Sequence, residues 1–127
     1  MIAAAIIDGE KVLLVSKHEA PDLFYLPGGK PEKGESPLET LARELAEELS
    51  VALIDADLLS VVSDEAALEE VAMEMQVYLV RVGGSISTRA EIAAFAWVGA
   101  KGDAPGTLAP AIRNHVLPEL AARQLIT

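Results

Sequence analysis

The sequence lacks or is short of several residue types, and each shortage excludes a class of function. It contains no cysteine, which excludes disulfide scaffolds, thiolate zinc sites and cysteine nucleophiles. Its two histidines, His18 and His115, leave little room for a histidine-rich metal site. Aromatic residues amount to one Trp, two Tyr and two Phe, so few rings are available either to the core or to a ligand.

Basic residues are scarce as well. Ten Lys and Arg stand against 20 Asp and Glu, which gives a formal net charge of −10, and the basic residues form no run. Such a chain repels nucleic acid and anionic membranes. A site that handles an anion in this protein would therefore need a cation to mediate the contact.

Long apolar runs are also missing. No segment approaches the roughly 18 apolar residues of a membrane span, and the opening residues 1–7 have no basic flank, which makes them a poor signal peptide. We therefore expect a cytoplasmic protein. At 127 residues with 51% hydrophobic residues, the chain predicts one globular domain spanning residues 1–127.

Apolar periodicity predicts an α/β fold. Apolar runs at 2–7 and 11–17 flank Asp8-Gly9, a hairpin signal. Residues 18–35 read as irregular chain because of their many prolines and glycines, with a short strand at 23–26. Further strands are predicted at 51–54, 58–63, 71–82 and 92–98, the third with Met73, Met75, Val77 and Leu79 on one face.

Two helices complete the predicted fold, a mixed sheet with helices packed on its faces. The first should span 37–49, because Ser36 suits the N-cap, Pro37 the first turn and Glu39 the third position of a capping box. After a turn at 83–85 and a loop at 99–106, the second should span 108–125, where Pro118 should break or kink it.

The first helix places acidic residues opposite its apolar side. Glu44, Glu47 and Glu48 are neighbours at helical spacing and repel one another. Arg43 can reach Glu47 or Glu39 and neutralises only one charge. A divalent cation would offset the rest, and oxygen ligands favour Mg²⁺ or Mn²⁺ over zinc. The alternative is a solvated helix face in a small acidic interaction domain.

A glycine-rich segment, Pro27-Gly28-Gly29-Lys30, precedes this helix. Paired glycines let the backbone approach a ligand closely, in conformations closed to other residues. Beside a helix that carries carboxylates, such a loop can hold a metal and a phosphate together, although an ordinary turn has the same composition. The segment is not a P-loop, because the Gly-Lys-Ser/Thr ending is missing.

The stretch from Gly29 to Val51 resembles the Nudix box of the Nudix hydrolases. That pattern is Gly, five residues, Glu, seven residues, Arg-Glu, an aliphatic residue, any residue, Glu-Glu, any residue, Gly and an aliphatic residue. Every position matches except the last glycine, which is Ser50 here. The resemblance implies the family's α/β/α sandwich, a mixed β-sheet with a box helix and a C-terminal helix.

The resemblance also implies a metal site. Glu47 and Glu48 would be side-chain ligands, with the backbone carbonyl of Gly28 beside them. Glu44 would bind the metal or act as the base that activates water. Such families often recruit one more carboxylate from outside the box, and our candidate is Glu91, although a solvated loop residue is an equal alternative.

The remaining box positions are given supporting roles by the same resemblance. Arg43 would act in catalysis by holding a glutamate in place through an ion pair, and Gly29 and Glu35 would support the site. Ser50 puts the helix exit in question, since a left-handed serine would cost roughly 1–2 kcal/mol. Position 50 carries no ligand, so the chemistry is less affected than the stability.

The implied activity is Mg²⁺-dependent hydrolysis, with Mn²⁺ as a substitute, of a nucleoside diphosphate linked to another moiety. The chain lacks the downstream proline of the ADP-ribose enzymes, and Tyr78 lies too far on to be the mark of the dinucleoside polyphosphate enzymes. It most resembles the MutT-type nucleoside triphosphate hydrolases. A nucleotide-sugar or ADP-ribose pyrophosphatase and a catalytically silent nucleotide-binding domain stay open, as does a monomer or a homodimer.

Few residues are candidates for contact with a small nucleotide. Lys30 could touch phosphate, Tyr25 could contact the substrate, and Asn114 or His115 could present polar groups to a base. For the aromatics Phe24, Tyr25, Phe95 and Trp97, core packing is the favoured interpretation.

Overall fold

A computed structural model of the chain describes residues 1–65 and 72–127. The strands, in chain order, are β1 (Ile2–Asp8), β2 (Lys11–Lys17), β3 (Ala20–Tyr25), β4 (Gly28–Gly29), β5 (Ala52–Glu65), β6 (Ala72–Gly83), β7 (Ile92–Val98) and β8 (Thr107–Leu108). The helical segments are α1 (Pro37–Leu49), a π-helical turn (Ile112–Val116) and α2 (Leu117–Ala122).

The strands form one mixed sheet in the order β5-β6-β1-β2-β3-β8, with β4 on β1 and β7 on β2. The β1–β6 and β3–β8 pairs are parallel and the others antiparallel. Strands β1 and β2 pair only next to their turn, at Ile7–Val12 and Asp8–Lys11. Away from the turn, β4 takes the place of β2 on β1, which brings Gly28 and Gly29 into the sheet.

The predicted hairpin is confirmed. Gly9 and Glu10 have φ values of 57° and 63°, the two positive angles of a type I′ turn. That turn matches the right-handed twist of the flanking strands. The backbone of Glu10 is strained in this turn, because Glu10 has a side chain and adopts a conformation that only glycine adopts freely.

The α/β sandwich is confirmed, with helices on both faces of the sheet. On one face the fully buried Leu41, Leu45 and Leu49 of α1 pack against β1, β2 and the buried Val80 of β6. On the other face the π turn and α2 cover a second apolar cluster that includes Met75 and Val77. Helix α1 thus lies directly over the strands that carry the glycine pair.

Helix α1 begins and ends where the sequence predicts. The backbone N–H of Glu39 donates to Ser36 Oγ at 3.2 Å, and the backbone N–H of Ser36 donates to Glu39 Oε1 at 3.0 Å. This capping box satisfies two N–H groups that the helix itself leaves unpaired. The helix is therefore fixed by local sequence at its start and by three buried leucines along its length.

Two strand predictions were wrong in their boundaries. The short strand expected at 23–26 begins at Ala20, because a tight turn at 18–19 lets it pair with β2. The segments 51–54 and 58–63 are one strand, β5, whose register with β6 shifts at Leu53/Asp55 and at Leu58/Ser60. These bulges interrupt the period of two without ending the strand.

The strand predicted at 71–82 is β6, and Val71 lies outside the described residues. Of the four residues expected on one face, Met75 and Val77 are buried in the same cluster and Leu79 is half-buried. The placement of the Met73 side chain is not described.

The C-terminal helix is shorter than predicted, because Thr107 and Leu108 form β8 instead. It also changes character at its proline. Pro118 has no N–H to donate, and the turn before it widens so that the N–H of Leu117 reaches the carbonyl of Ile112, five residues back. Pro118 therefore does not end the helix, which continues to Ala122 after the π-helical turn.

Candidate active site

The glycine pair and two glutamates of α1 lie in direct contact. The backbone N–H of Gly28 donates to Glu48 Oε1 at 3.1 Å, and Glu48 is only 3% exposed. A Cβ on Gly28, whose φ is 142°, would lie 2.1 Å from the carbonyl oxygen of Ile2, and one on Gly29 would lie 2.5 Å from Glu44 Oε1. Only glycine fits at position 28, since backbone occupies the space of a side chain, whereas a side chain at position 29 would require the Glu44 carboxylate to move.

The acidic side chains at this place repel one another. Burial first, and then the negative charges of Glu44 and Glu91, raise the pKa of Glu48 to about 8, although the hydrogen bond from Gly28 and the charge of Lys17 oppose the rise. Burial also raises the pKa of Glu44, with Glu47 and Glu91 adding to the effect and Arg43 opposing it. We call Glu44, Glu47, Glu48 and Glu91 the acidic cluster, because each adds to the unfavourable charge of another.

Arg43 is the centre of an ion-pair network. It pairs with four carboxylates rather than the single one expected. Its side chain is 22% exposed and lies between glutamates that precede the helix and glutamates within it. Its contacts are Glu35 at 2.7 and 2.8 Å, Glu44 at 2.8 Å, Glu32 at 3.0 Å, Glu47 at 3.5 Å and the Lys30 carbonyl at 3.2 Å.

Glu35 is a supporting residue in this network. It receives two parallel hydrogen bonds from Arg43, one from the backbone N–H of Glu32 at 2.8 Å and one from the hydroxyl of Thr40 at 3.1 Å. These donors, those of Arg43 first, lower the pKa of Glu35 to about 2. Glu35 thus contacts the same guanidinium that contacts Glu44.

Glu91 is the member of the acidic cluster that lies outside α1, on the segment that leads into β7. Its side chain is 59% exposed and pairs with Lys17 at 3.5 Å, and its backbone carbonyl accepts from the N–H of His18 at 2.9 Å. Lys17, at the end of β2, also lowers the pKa of Glu48 by its positive charge. Nothing in the sequence pattern singles out Lys17, because its proximity results from the β2–β7 pairing.

The helix keeps the left-handed exit that the sequence analysis considered for Ser50, with φ 57° and ψ 34°. What sequence reasoning missed is the segment that this exit contacts. The last carbonyls of α1 accept from residues of the segment that carries Glu91: Glu48 O from the N–H of Arg89 at 2.9 Å and Leu49 O from that of Ser87 at 3.0 Å. Arg89 Nη1 also donates to Ser50 Oγ at 3.1 Å.

Tyr25 and Lys30 flank the glycine pair. The Tyr25 hydroxyl is buried and has no hydrogen-bond partner in the described part of the chain. Burial, and then the charge of Glu48, raise the pKa of Tyr25, and Lys17 Nζ lies 5.9 Å from its ring centroid. The side chain of Lys30 is exposed, and its backbone carbonyl binds Arg43.

Asn114 and His115 lie on the π-helical turn, which packs on the opposite face of the sheet from α1. Both contact Asp64 near the end of β5, at 3.2 Å from Asn114 Nδ2 and 3.1 Å from His115 Nε2. Of the aromatics, Phe24 is a core residue as predicted, Trp97 packs against the α1 cluster, and Phe95 is 40% exposed.

The donor chemistry of the acidic cluster fits a divalent cation. Its groups are carboxylates, which raise one another's pKa and would be relieved by positive charge. As they stand, no three acidic or histidine side chains in residues 1–65 and 72–127 converge closely enough to hold a metal. Glu47 is 56% exposed and pairs with Arg43 at 3.5 Å.

Comparison with known proteins agrees with this geometry. The family profile for the NUDIX domain matches residues 1–116. A Mycobacterium tuberculosis protein with the provisional name 8-oxo-dGTP diphosphatase 2 is 35% identical over 103 residues, which span 79% of this chain and 72% of that protein.

Solved structures give the same result. A MutT NUDIX hydrolase from Burkholderia pseudomallei superimposes with a TM-score of 0.79 at 30% identity, covering 94% of this chain and 95% of that one. The E. coli ORF135 protein follows with a TM-score of 0.76 at 26% identity, covering 95% and 86%.

The chain therefore belongs to the Nudix family. It is an enzyme of the pyrophosphatase type, a hydrolase similar to MutT, and Nudix hydrolases generally use a divalent metal. None of the helices in the described part of the chain has the length and apolar character needed to cross a membrane.

Proposed function

We propose that this Nudix enzyme hydrolyses a nucleoside triphosphate at a pyrophosphate bond, with Mg²⁺ as its cation and Mn²⁺ as a substitute. The observation that carries the proposal is the acidic cluster beside the glycine pair, where Glu48 is buried with a pKa near 8. Folding alone would not favour a buried carboxylate among like charges, so a perturbed group of this kind is a functional candidate.

In this proposal Glu47, Glu48 and the backbone carbonyl of Gly28 hold the cation, with Glu44 and Glu91 completing the set. When bound, the cation offsets the charge of the pyrophosphate and lowers the pKa of water. It also explains how a chain with a net charge of −10 can bind a polyanion.

Glu44 is the proposed general base. Its carboxylate is half-buried with a raised pKa, which brings it closer to the proton affinity that suits a base near neutral pH. Arg43 holds it at 2.8 Å, and Glu35 holds Arg43. In the reaction, the oxygen of water bonds to phosphorus, the bridging P–O bond breaks toward the leaving phosphate, and Glu44 takes the proton of water.

Two relatives favour a nucleoside triphosphate as substrate. One carries the provisional name of an 8-oxo-dGTP diphosphatase and the other the name MutT. Lys30, next to Gly29 and exposed, is available to a phosphate. Tyr25 is the proposed contact to the rest of the nucleotide, and Asn114 stays a prediction, because it lies on the opposite face of the sheet from α1 and binds Asp64. A cytoplasmic location, a single domain and the oligomeric state stay predictions.

The test is a substrate panel with matched glutamine variants. Nucleoside triphosphates, dinucleoside pyrophosphates, ADP-ribose and nucleotide sugars are assayed for Mg²⁺-dependent release of phosphate or pyrophosphate. We expect Glu47→Gln and Glu48→Gln to lose activity by about 10²- to 10⁴-fold. Glu39→Gln is the control on the same helix, because Gln also completes a capping box.

The outcomes of the substrate panel distinguish between substrate classes, a silent binding domain and a site elsewhere in the protein. Turnover confined to ADP-ribose or a nucleotide sugar would replace the substrate class and keep the site. Nucleotide binding without any product would make the chain a silent nucleotide-binding domain. Undiminished turnover in Glu48→Gln would remove the acidic cluster from the chemistry.

A further inference from the structure

Ser50, the one position at which the chain departs from the Nudix box, lies where α1 meets the segment that carries Glu91. Its left-handed backbone is the conformation that glycine would provide without strain. A serine there gains nothing as a cap residue, since its backbone N–H bonds to Leu45 O as that of any residue would. What serine adds over glycine is the hydroxyl, and that hydroxyl accepts a hydrogen bond from Arg89.

We propose that Ser50 and Arg89 form a clamp that positions Glu91 beside the glutamates of α1. The inference rests on the proposed function, because it takes Glu91 as part of the acidic cluster. Ser50 and Arg89 are positioning residues in it, and neither touches the substrate or the reacting atoms.

Three hydrogen bonds join the two segments. The N–H groups of Ser87 and Arg89 donate to Leu49 O and Glu48 O, and the Arg89 side chain donates to Ser50. Two of them therefore involve Arg89, one through its backbone and one through its side chain. Because Glu91 follows Arg89 by two residues, the clamp restricts where its carboxylate can lie relative to Glu48.

The local backbone explains why a clamp is needed. Ala90, between Arg89 and Glu91, has a φ of 53°, a conformation that few residues other than glycine adopt. The N–H of Ile92 closes a turn on the carbonyl of Arg89 at 3.0 Å. The turn is strained, and among the described residues the Glu91 side chain is held by an ion pair with Lys17 alone, so the position of Glu91 depends on how Arg89 is anchored.

Charge favours the same arrangement. The last turn of α1 contains no basic residue, although the negative end of a helix attracts cations. Arg89 supplies that positive charge from another segment of the chain. A glycine at position 50 would leave Arg89 with its backbone bond alone.

The test compares three substitutions at position 50. Ser50→Gly removes the hydroxyl and the strain, Ser50→Ala removes the hydroxyl and keeps the strain, and Ser50→Asn supplies another acceptor on a residue that tolerates the left-handed conformation. We expect Ser50→Gly to leave the Tm unchanged or raise it by about 2–5 °C. Despite this, its kcat and its affinity for Mn²⁺ should fall about threefold to tenfold, with KM little changed.

Ser50→Ala should show the same functional loss without a gain in Tm, and Ser50→Asn should recover most of the kcat and the Mn²⁺ affinity. A purely structural role would move function and stability together. A second readout needs no metal: in metal-free protein, the amide hydrogens of Ser87 and Arg89 should exchange faster in Ser50→Gly than in the parent.

A double-mutant cycle with Arg89→Ala completes the test. We expect Arg89→Ala to match Ser50→Ala, and the double variant to lose no more than either single variant. Arg81→Ala is the matched control, because Arg81 is an exposed arginine paired with Asp55 at 2.9 Å in another part of the sheet. It should leave both the kcat and the Mn²⁺ affinity unchanged.

The proposal is overturned if Ser50→Gly keeps its Mn²⁺ affinity and amide exchange, or if the losses of Ser50→Ala and Arg89→Ala add in full. The same Mn²⁺ titration of Glu48→Gln distinguishes this failure from failure of the proposed function. Loss of binding in Glu48→Gln with none in Ser50→Gly would reject the clamp alone, whereas full binding in Glu48→Gln would reject the site.

Discussion

The glutamates at the two ends of the box helix have opposite electrostatics. Just before its N-cap, the pKa of Glu35 is lowered to about 2 by Arg43, and in its first turn the pKa of Glu39 is lowered by hydrogen bonds from Ser36. In its second half, burial raises the pKa of Glu44 and brings that of Glu48 to about 8. One helix thus carries carboxylates that are stabilised in their charged form and carboxylates that are not.

This difference indicates which acidic residues stabilise the folded protein. The positive end of the helix and its free N–H groups favour anions at the start, where Arg43 and Thr40 add further donors. At the other end the helix dipole disfavours anions, and Glu48 accepts a hydrogen bond from Gly28. In the proposed function, a bound cation is the reason that glutamates are kept there at a cost in stability.

The contrast between the two groups of glutamates is tested most strongly by neutralising one residue of each group. Glu48→Gln should lower kcat by about 10²- to 10⁴-fold while raising the stability of the metal-free protein at pH 8, because it removes a disfavoured buried charge. Glu35→Gln should lower kcat less, by about 10- to 100-fold, and lower the stability, because Arg43 loses its two-point partner. Steady-state kinetics and urea unfolding measure both.

The two variants are each other's control, since both change a carboxylate to an amide of the same shape. If both destabilise the metal-free protein equally, the contrast between the two ends of the helix does not exist.

The pH dependence of stability should follow the same contrast. The raised pKa of Glu48 means that its contribution is full below about pH 4.5 and is lost as the pH rises through 8. The lowered pKa of Glu35 means that its contribution is full above 4.5 and is lost as the pH falls through 2. From these two groups, the metal-free protein should be most stable near pH 4–5, and Glu48→Gln should reduce the decline toward pH 8, to which the raised pKa of Glu44 also contributes. Thermal unfolding in EDTA across pH 3–9 measures this, and a parent profile that rises from pH 5 to 8 would contradict it.

The smallest effect is expected from Tyr25→Phe. Its hydroxyl has no partner in the described residues, so removing it should leave the Tm within about 2 °C or raise it slightly. Because Tyr25 is the proposed contact to the nucleotide, KM should rise severalfold with kcat nearly constant. A marked loss of Tm would show that the hydroxyl has a protein partner and would argue against a substrate contact.

Local signals in the sequence predicted the helix and the hairpin well. The capping box at Ser36 and the Asp8-Gly9 turn are formed by residues within a few positions of each other. Both could therefore be predicted from a short stretch of sequence. The strand boundaries were less predictable. The bulges in β5 and the start of β3 at Ala20 depend on pairing with strands distant in sequence.

The candidate site also contains residues that could be predicted from the sequence and residues that could not. The box positions from Gly29 to Glu48 follow a fixed spacing and could be named in advance. Lys17 and Arg89 could not, because β-sheet pairing and the exit of α1 bring them to the acidic cluster from segments with no motif. Asn114 and His115 were named, but their shared partner Asp64 lies 50 residues from Asn114 in sequence.

The most direct test of the central claim is to titrate the carboxyl of Glu48 by NMR of carbon-13-labelled protein, first in EDTA and then with saturating Mg²⁺. The account predicts a pKa near 8 without metal and a fall of several units with Mg²⁺, while the carboxyl of Glu35 stays ionised down to about pH 2 in both. A Glu48 pKa near 4.5 that Mg²⁺ does not change would contradict the claim that these glutamates are held in place for a cation.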